Sequence, residues 1–173
     1  AIGRALAAAG YGTELDPEVL ERCQNAARLR YGTSLSNVVC ANFYETSLPT
    51  ADAVVGNPPY IRRHHQVDAT GLRAAFGNVA GLTDAYCYFL FRACAALRPG
   101  GRLAVIVSAS WLDMKYGQPL KRLLTDEFRI HLVLGFDGRV FPDALVKPVV
   151  LLAEKTRWDG PVSFARLRDH VSA

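Results

Sequence analysis

The tetrapeptide Asn57-Pro58-Pro59-Tyr60, directly after the apolar residues 53–56, constrains the fold of this chain more than any other feature. Proline has no backbone N–H to donate and fixes its own φ angle, so two prolines in a row end a strand at Gly56. The next four residues then form a stiff loop at the carboxyl end of that strand. In open α/β sheets ligands bind at this edge. A rigid loop that presents an amide, a carbonyl and an aromatic ring suits a planar substrate with an amino group.

Apolar periodicity along the rest of the chain predicts alternating strands and helices. Strands are predicted at residues 10–15, 37–41, 52–56, 102–107, 130–136 and 148–153. Helices are predicted at residues 1–9, 17–31, 84–97 and about 118–127, with a long loop or partly helical insertion at 61–83. This order predicts an α/β fold with a mainly parallel sheet covered on both faces. The last two strands have no helix between them, which favours an antiparallel strand at one edge.

Individual residues mark some of these boundaries. Asp16 is placed to cap the helix that begins at Pro17, and Gly32 to end it. Pro99-Gly100-Gly101 predicts a tight turn into the strand that follows.

Composition sets the broad class. The 173 residues are 50% apolar and 21% charged, which is typical of a single domain with a real core. No apolar stretch reaches the roughly 18 residues needed to cross a membrane, so no membrane partner is expected. The net charge of +4 weakly favours an anionic partner. No metal is expected, because the cysteines lack the spacing of a zinc site. All four are expected to be reduced thiols in the core of a cytoplasmic protein: Cys23, Cys40, Cys87 and Cys94.

Four sites follow one another along the chain: Glu14, Asn42-Phe43, the tetrapeptide and Val140-Phe141-Pro142. In this order they resemble the amino-methyltransferases that use S-adenosylmethionine (AdoMet), above all the gamma-type adenine-specific DNA methyltransferases of restriction–modification systems. Three further segments add to the likeness: Thr83-Asp84-Ala85-Tyr86, Leu97-Arg98-Pro99-Gly100-Gly101 and Ser110-Trp111-Leu112. The resemblance runs from residue 10 to about residue 155. It implies a Rossmann-like class I methyltransferase fold, AdoMet as cofactor and duplex DNA with a flipped adenine as partner.

One departure from the family pattern concerns the Gly-rich loop that holds the methionine part of AdoMet. This loop follows the first strand in the family, and no such loop is present in the sequence. The resemblance therefore implies that residues 1–173 are an N-terminally truncated, partial catalytic domain, inactive on its own. A target-recognition region is also missing, and such a region or a fused endonuclease would lie outside this chain.

The resemblance assigns four residues to the cofactor: Glu14, Asn42, Phe43 and Asn57. Glu14 would accept both ribose hydroxyls, unless Glu14 or Asp16 only caps the following helix; Asp16 is the better cap. Asn42 stands where the family usually has an aspartate, and would contact the AdoMet adenine. Phe43 would pack on that adenine or act as a plain core aromatic.

The tetrapeptide is assigned to the target base. The Asn57 side-chain carbonyl and the Pro58 backbone carbonyl would accept the hydrogens of the adenine amine, beside the AdoMet methyl group, with Pro59 keeping the loop rigid. Tyr60 would stack on the flipped base. Phe141 would cover the opposite face, with core packing as its alternative and Phe136 as the substitute if the loop is registered differently.

Three other interpretations stay open at this point. A glutamine amide in a protein or an amine in ribosomal RNA are alternative targets of the same amine chemistry, and a non-catalytic module that only binds DNA is a third possibility. A basic cluster next to the tetrapeptide fits phosphate contact or a solvated loop: Arg62, Arg63, His64 and His65.

Overall fold

The computed structural model describes residues 10–60, 85–138, 140–141 and 146–168. The predicted N-terminal helix at residues 1–9 and the predicted insertion at 61–83 lie outside the described residues. The chain divides into two compact units, Ala1–Pro49 and Thr50–Ala173. Within the described ranges, no helix has both the length and the apolar character needed to cross a membrane.

The first unit contains a strand, a helix and a second strand. Strand β1 (Gly12–Glu14) pairs in parallel with β2 (Val38–Cys40), and helix α1 (Pro17–Tyr31) connects them. The Asp16 carboxylate accepts the Glu18 N–H at 2.8 Å, which caps α1 as predicted. The helix ends at Gly32, whose φ of 62° is the left-handed conformation that glycine adopts without strain.

The second unit is built on a five-stranded sheet with the order β3-β4-β6-β5-β7. Its strands are β3 (Ala51–Gly56), β4 (Leu97–Ser108), β5 (Arg129–Phe136), β6 (Pro148–Glu154) and β7 (Phe164–Leu167). Its helices are α2 (Ala85–Ala96), α3 (Ser110–Asp113) and α4 (Gln118–Glu127), with a 3₁₀ turn at Lys115–Gly117. The predicted strands and the longer predicted helices among the described residues are thus present, with shifts of a few residues at their ends.

The antiparallel strand lies inside the sheet, which corrects the predicted edge position. β6 runs antiparallel to both β4 and β5, and Leu151 is paired with Val105 on one side and Val133 on the other. Leu151 is fully buried because a strand flanks it on each side, and at an edge position it would be more exposed. The outer strand is instead β7, which pairs in parallel with β5. β7 was not predicted, because it is a four-residue strand whose side chains are all exposed and show no alternation.

Pro99-Gly100-Gly101 lies within β4 and is not a separate turn before it. Ala51 of β3 pairs with Leu97, whereas Ala53 pairs with Arg102, so β4 bulges outward between these two pairs. Gly100 has a φ of 74°, and a Cβ on Gly101 would come within 2.8 Å of the Arg98 carbonyl oxygen. The two glycines thus allow the chain to bulge where the sequence pattern predicted a turn.

The core of the second unit lies on one face of its sheet. Alternate residues of β4, β6 and β5 are buried, whereas their neighbours on the opposite face are half-buried. Helix α2 packs on β4, and α4 packs on β5. The residues of this core that are fully buried include Cys87, Leu90, Val107, Leu120, Leu124 and Leu151.

The four cysteines are free thiols, as predicted, but only half of them are in the core. Cys87 and Cys94 are buried in α2, whereas Cys23 and Cys40 are exposed. The core prediction is wrong for Cys23 because it lies on the outer side of α1, and for Cys40 because β2 is a short strand with little cover.

Candidate active site

The predicted loop of residues 57–60, called here the NPPY loop, follows directly after β3. Gly56 is the last residue of the strand and pairs with Val105 of β4. Pro58 is buried, whereas Asn57 and Pro59 are exposed. The buried proline holds the loop against the protein, so that the neighbouring Asn57 is presented to the solvent at the carboxyl end of β3.

Tyr60, the last residue of the loop, is anchored at its hydroxyl end. The Tyr60 hydroxyl donates to the carbonyl oxygen of Ile106 in β4 at 3.4 Å. Partial burial raises the pKa of Tyr60 above its usual value of 10, so the ring is uncharged at neutral pH. A neutral ring with a fixed hydroxyl offers a flat stacking surface.

The structure brings Tyr60 and Phe141 together, although they are far apart in the sequence. Their ring centroids are 5.9 Å apart and the ring planes are inclined by 49°. Phe136, the proposed substitute, lies at the end of β5 opposite Leu167. Both Tyr60 and Phe141 are half-buried, so part of each ring is open to a ligand.

Gly56 is a feature of the site that the sequence pattern did not single out. A Cβ at this position would lie 3.0 Å from Cζ of Phe89 in α2, which is tighter than ordinary packing. The helix therefore contacts the backbone immediately before Asn57. A glycine before the tetrapeptide is the only sequence signal for this contact, and glycine in a strand often marks such close approach.

Glu14 ends β1 at the predicted position, and its carboxylate is partly engaged. Glu14 Oε1 accepts the backbone N–H of Asp16 at 3.0 Å. The helix cap is supplied by Asp16, so the alternative role of Glu14 as the cap of α1 is not needed. Among the described residues, no hydrogen bond is made to Glu14 Oε2, which leaves this oxygen available to a ligand hydroxyl.

Asn42 and Phe43 form a rigid turn after β2. Asn42 Oδ1 accepts the Tyr44 N–H at 3.0 Å, and the Asn42 carbonyl oxygen accepts the Thr46 N–H at 3.0 Å and its hydroxyl at 2.7 Å. Phe43 is half-buried and meets Tyr44 edge to face, with 5.8 Å between ring centroids. Phe43 is thus not a fully buried core aromatic, and part of its ring can contact a ligand.

The proposed cofactor residues and base-binding residues belong to different units. Glu14, Asn42 and Phe43 lie in Ala1–Pro49, whereas Asn57, Tyr60 and Phe141 lie in Thr50–Ala173. The basic cluster of residues 62–65 lies outside the described residues. In the described part of the chain, no three His, Cys, Asp or Glu side chains are grouped as metal ligands.

Comparison with known sequences identifies what the chain is similar to. The sequence model of the Eco57I restriction-modification methylase family matches residues 13–141. The type II methyltransferase M.XhoI of Xanthomonas vasicola is 36% identical over 134 residues, which cover 75% of this chain and 24% of that protein. The chain thus spans about a quarter of the length of this curated relative.

Solved structures share the fold. A methyltransferase subunit of a type I restriction-modification system from Streptococcus thermophilus has a TM-score of 0.73 and 21% identity, over 90% of this chain and 35% of that one. A class I S-adenosylmethionine-dependent methyltransferase from Listeria monocytogenes has a TM-score of 0.75 and 15% identity, over 96% of this chain and 53% of that one. These similarities confirm the predicted Rossmann-like class I methyltransferase fold.

Proposed function

The chain belongs to the Eco57I restriction-modification methylase family, and from this premise we propose that it transfers a methyl group from AdoMet to the exocyclic amine of adenine in DNA. The observation that carries the proposal is the exposed Asn57 on a loop with a buried proline, together with Tyr60 of the same loop, whose ring meets that of Phe141. An amide oxygen and an aromatic surface on one rigid loop fit an aromatic amine.

The chemistry requires positioning of the amine rather than a covalent intermediate or a metal. The adenine amine is a weak nucleophile because its lone pair is delocalised into the ring. Hydrogen bonds from its two N–H groups to the Asn57 side-chain oxygen and the Pro58 carbonyl oxygen would favour a tetrahedral nitrogen. The lone pair would then point at the methyl group that bound AdoMet supplies from its sulfonium; on transfer the C–S electron pair would stay on sulfur and the proton lost by the nitrogen would go to water.

The cofactor proposal rests on the first unit. AdoMet carries ribose hydroxyls and an adenine ring. The free Glu14 Oε2 is suited to accept from a ribose hydroxyl, and the half-buried Phe43 is suited to pack against an adenine face. Asn42 would be a further contact to the AdoMet adenine. The hydrogen bond within its turn holds the Asn42 side chain in one direction, which supports this role. Asn57 completes this set at the methyl end.

The base would be held between Tyr60 and Phe141 after extrusion from the duplex. Stacked bases are separated by about 3.4 Å, so a base between two parallel rings needs a centroid separation of about 7 Å. The rings are 5.9 Å apart and inclined by 49°, so they must separate by about 1 Å and become more parallel to admit the base.

We propose DNA as the partner of this protein and the cytoplasm as its location. Target recognition and any endonuclease activity would lie outside these 173 residues.

Mass spectrometry of nucleosides tests the proposal. Duplex DNA is incubated with the complete protein that the gene encodes and with methyl-labelled AdoMet, then digested. We expect label on the exocyclic nitrogen of deoxyadenosine. Label in a protein glutamine or in ribosomal RNA would instead support the alternative amine targets, and DNA binding without any transfer would support the non-catalytic reading.

We also propose that the 173-residue chain transfers no methyl group by itself, because it contains no Gly-rich loop after a strand to hold the methionine part of AdoMet. The same labelled-AdoMet assay tests this with the isolated chain. Transfer at more than background rate would contradict it.

A further inference from the structure

Four hydroxyl groups, which we call the hydroxyl cluster, meet near the carboxyl end of β4: those of Tyr86, Ser108, Ser110 and Tyr116. The Tyr116 hydroxyl donates to Ser110 Oγ at 2.8 Å, and Ser108 Oγ and Ser110 Oγ are 2.7 Å apart. The Tyr86 oxygen lies 3.1 Å from Ser110 Oγ and 3.2 Å from the Tyr116 oxygen. Hydroxyl groups connected in this way hold one another in fixed orientations.

Tyr86 is the buried member of the hydroxyl cluster. Its side chain is 1% exposed, whereas Ser108, Ser110 and Tyr116 are half-buried. Burial raises the pKa of Tyr86 far above its usual value of 10, so its hydroxyl keeps its proton. A buried hydroxyl without a partner is costly, so the two bonds of Tyr86 hold the first turn of α2 in one position.

The hydroxyl cluster connects α2 to the carboxyl end of β4 and to the start of α3. Tyr86 is on α2, Ser108 is the last residue of β4, and Ser110 begins α3. Three residues beyond Tyr86, and therefore on the same side of the helix, Phe89 contacts Gly56. At the other end of the loop, the Tyr60 hydroxyl bonds to β4. A continuous series of contacts thus connects the two ends of the NPPY loop: Gly56 contacts α2, the hydroxyl cluster joins α2 to β4, and β4 accepts the bond from Tyr60.

We propose that Tyr86, acting through the hydroxyl cluster and through Phe89, is a positioning residue that fixes Asn57 and Tyr60 relative to each other for methyl transfer. Without the cluster, the first turn of α2 loses its hydrogen bonds to Ser110 and Tyr116, and Phe89 of the same helix can then change its position against Gly56. Asn57 follows Gly56 directly, so its amide oxygen would move relative to the base that Tyr60 holds. This inference rests on the proposed function, because it concerns the geometry of that reaction.

The test is the rate of a single turnover of methyl transfer by the complete protein, with Tyr86→Phe as the variant. A misplacement of about 1 Å at a reacting centre can lower a rate about 100-fold, so we expect a loss of roughly 10- to 100-fold. The dissociation constants of AdoMet and of DNA should stay within about twofold, since Tyr86 is 1% exposed and presents almost no surface to a ligand. Tyr88→Phe is the matched control, because it removes another buried tyrosine hydroxyl from α2 without removing one from the cluster.

A second pair of variants covers the case in which Tyr86→Phe does not fold. Ser110→Ala removes the hydroxyl that bonds the other three, whereas Ser110→Thr keeps it. We expect the rate to fall with alanine and to be largely retained with threonine. A purely structural role would instead lower the melting temperature and both affinities together.

The outcomes separate the inference from the proposed function. If the wild-type protein methylates adenine and both Tyr86→Phe and Ser110→Ala turn over at the wild-type rate, the positioning role is overturned and the function stands. The inference is also overturned if Tyr88→Phe loses as much rate as Tyr86→Phe. If the wild-type protein methylates no DNA adenine, the proposed function itself has failed.

Discussion

The two ends of β4 are held by different kinds of interaction. At the amino end, backbone hydrogen bonds of 2.8 Å connect Gly100 N–H to the Lys155 carbonyl and Lys155 N–H to the Gly101 carbonyl. Lys155 Nζ adds bonds to the Cys94 and Leu97 carbonyl oxygens at 2.8 and 2.9 Å, at the junction of α2 with β4. At the carboxyl end, the backbone pairing continues to Ser108, and side-chain hydroxyls and aromatic rings add contacts to it.

The two ends of β4 therefore contribute to different properties: the amino end to stability and the carboxyl end to the proposed reaction. The backbone bonds at the amino end depend little on side-chain identity. At the carboxyl end, Asn57 is exposed and Tyr60 and Phe141 are half-buried, so side chains there can change partners. Loops that follow the carboxyl ends of parallel strands commonly carry ligand sites in α/β folds. Substitutions at the two ends should therefore have effects of different kinds.

The largest effect is expected for Asn57→Ala at the carboxyl end. Removing the side-chain acceptor for the amine should lower the methyl-transfer rate by about 100- to 1,000-fold, since one preorganised hydrogen bond of this kind contributes about 10²–10³. The melting temperature should change little because Asn57 is exposed, and AdoMet should still bind through Glu14, Asn42 and Phe43. Asn25→Ala, at an exposed position of α1, is the control and should leave the rate unchanged. Turnover at the wild-type rate in Asn57→Ala would exclude the assigned role.

A smaller effect is expected for Tyr60→Ala, which removes the stacking ring and its bond to Ile106. Loss of base stacking costs about 1–3 kcal/mol, so flipping and transfer should weaken by about 10- to 100-fold. Fluorescence of 2-aminopurine at the target position measures flipping, and labelled AdoMet measures transfer. Tyr60→Phe should be mild because the ring remains. Equal damage from phenylalanine and alanine would show that the hydroxyl, not the ring, is essential.

Lys155→Met tests the amino end of the strand. The change removes two hydrogen bonds from a charged donor, so the free energy of unfolding should fall by about 1–3 kcal/mol. The rate of methyl transfer per folded molecule should stay the same, because no proposed site residue touches Lys155. Urea denaturation measures the first quantity and single-turnover assays the second. Lys115→Met, at an exposed position, is the control. A lower transfer rate in Lys155→Met but not in Lys115→Met would contradict the proposed difference between the two ends of β4.

The smallest effect is a pH dependence specific to the carboxyl end. Burial raises the pKa of Tyr86 above 10, so the folded protein keeps this proton where the unfolded chain loses it. The stabilising contribution is complete below pH 10 and declines above it by up to about 1.4 kcal/mol per pH unit. Urea denaturation between pH 9 and 11 should show a steeper decline for the wild-type protein than for Tyr86→Phe. Identical slopes would contradict the buried, protonated state of Tyr86.

Local signals predicted most of the elements in the described part of the chain. Asp16, Pro17 and Gly32 mark the ends of α1 because capping and left-handed glycine act within one turn of the backbone. The prolines after Gly56 end β3 for the same reason: a missing N–H is a property of the residue itself. The glycines after Pro99 were misread, because the same freedom of glycine allows a turn or a bulge.

The sequence by itself determined where most of the strands and the longer helices form, that β3 ends in a stiff loop, and which residue types that loop presents. Only the tertiary structure decided that β6 lies between β4 and β5, that Phe141 meets Tyr60, and that Tyr86 joins Ser110. The physical reason is that local conformational preferences act between residues close in the chain. Strand order and ring contacts depend instead on which arrangement buries the most apolar surface and satisfies the most polar groups in the whole unit.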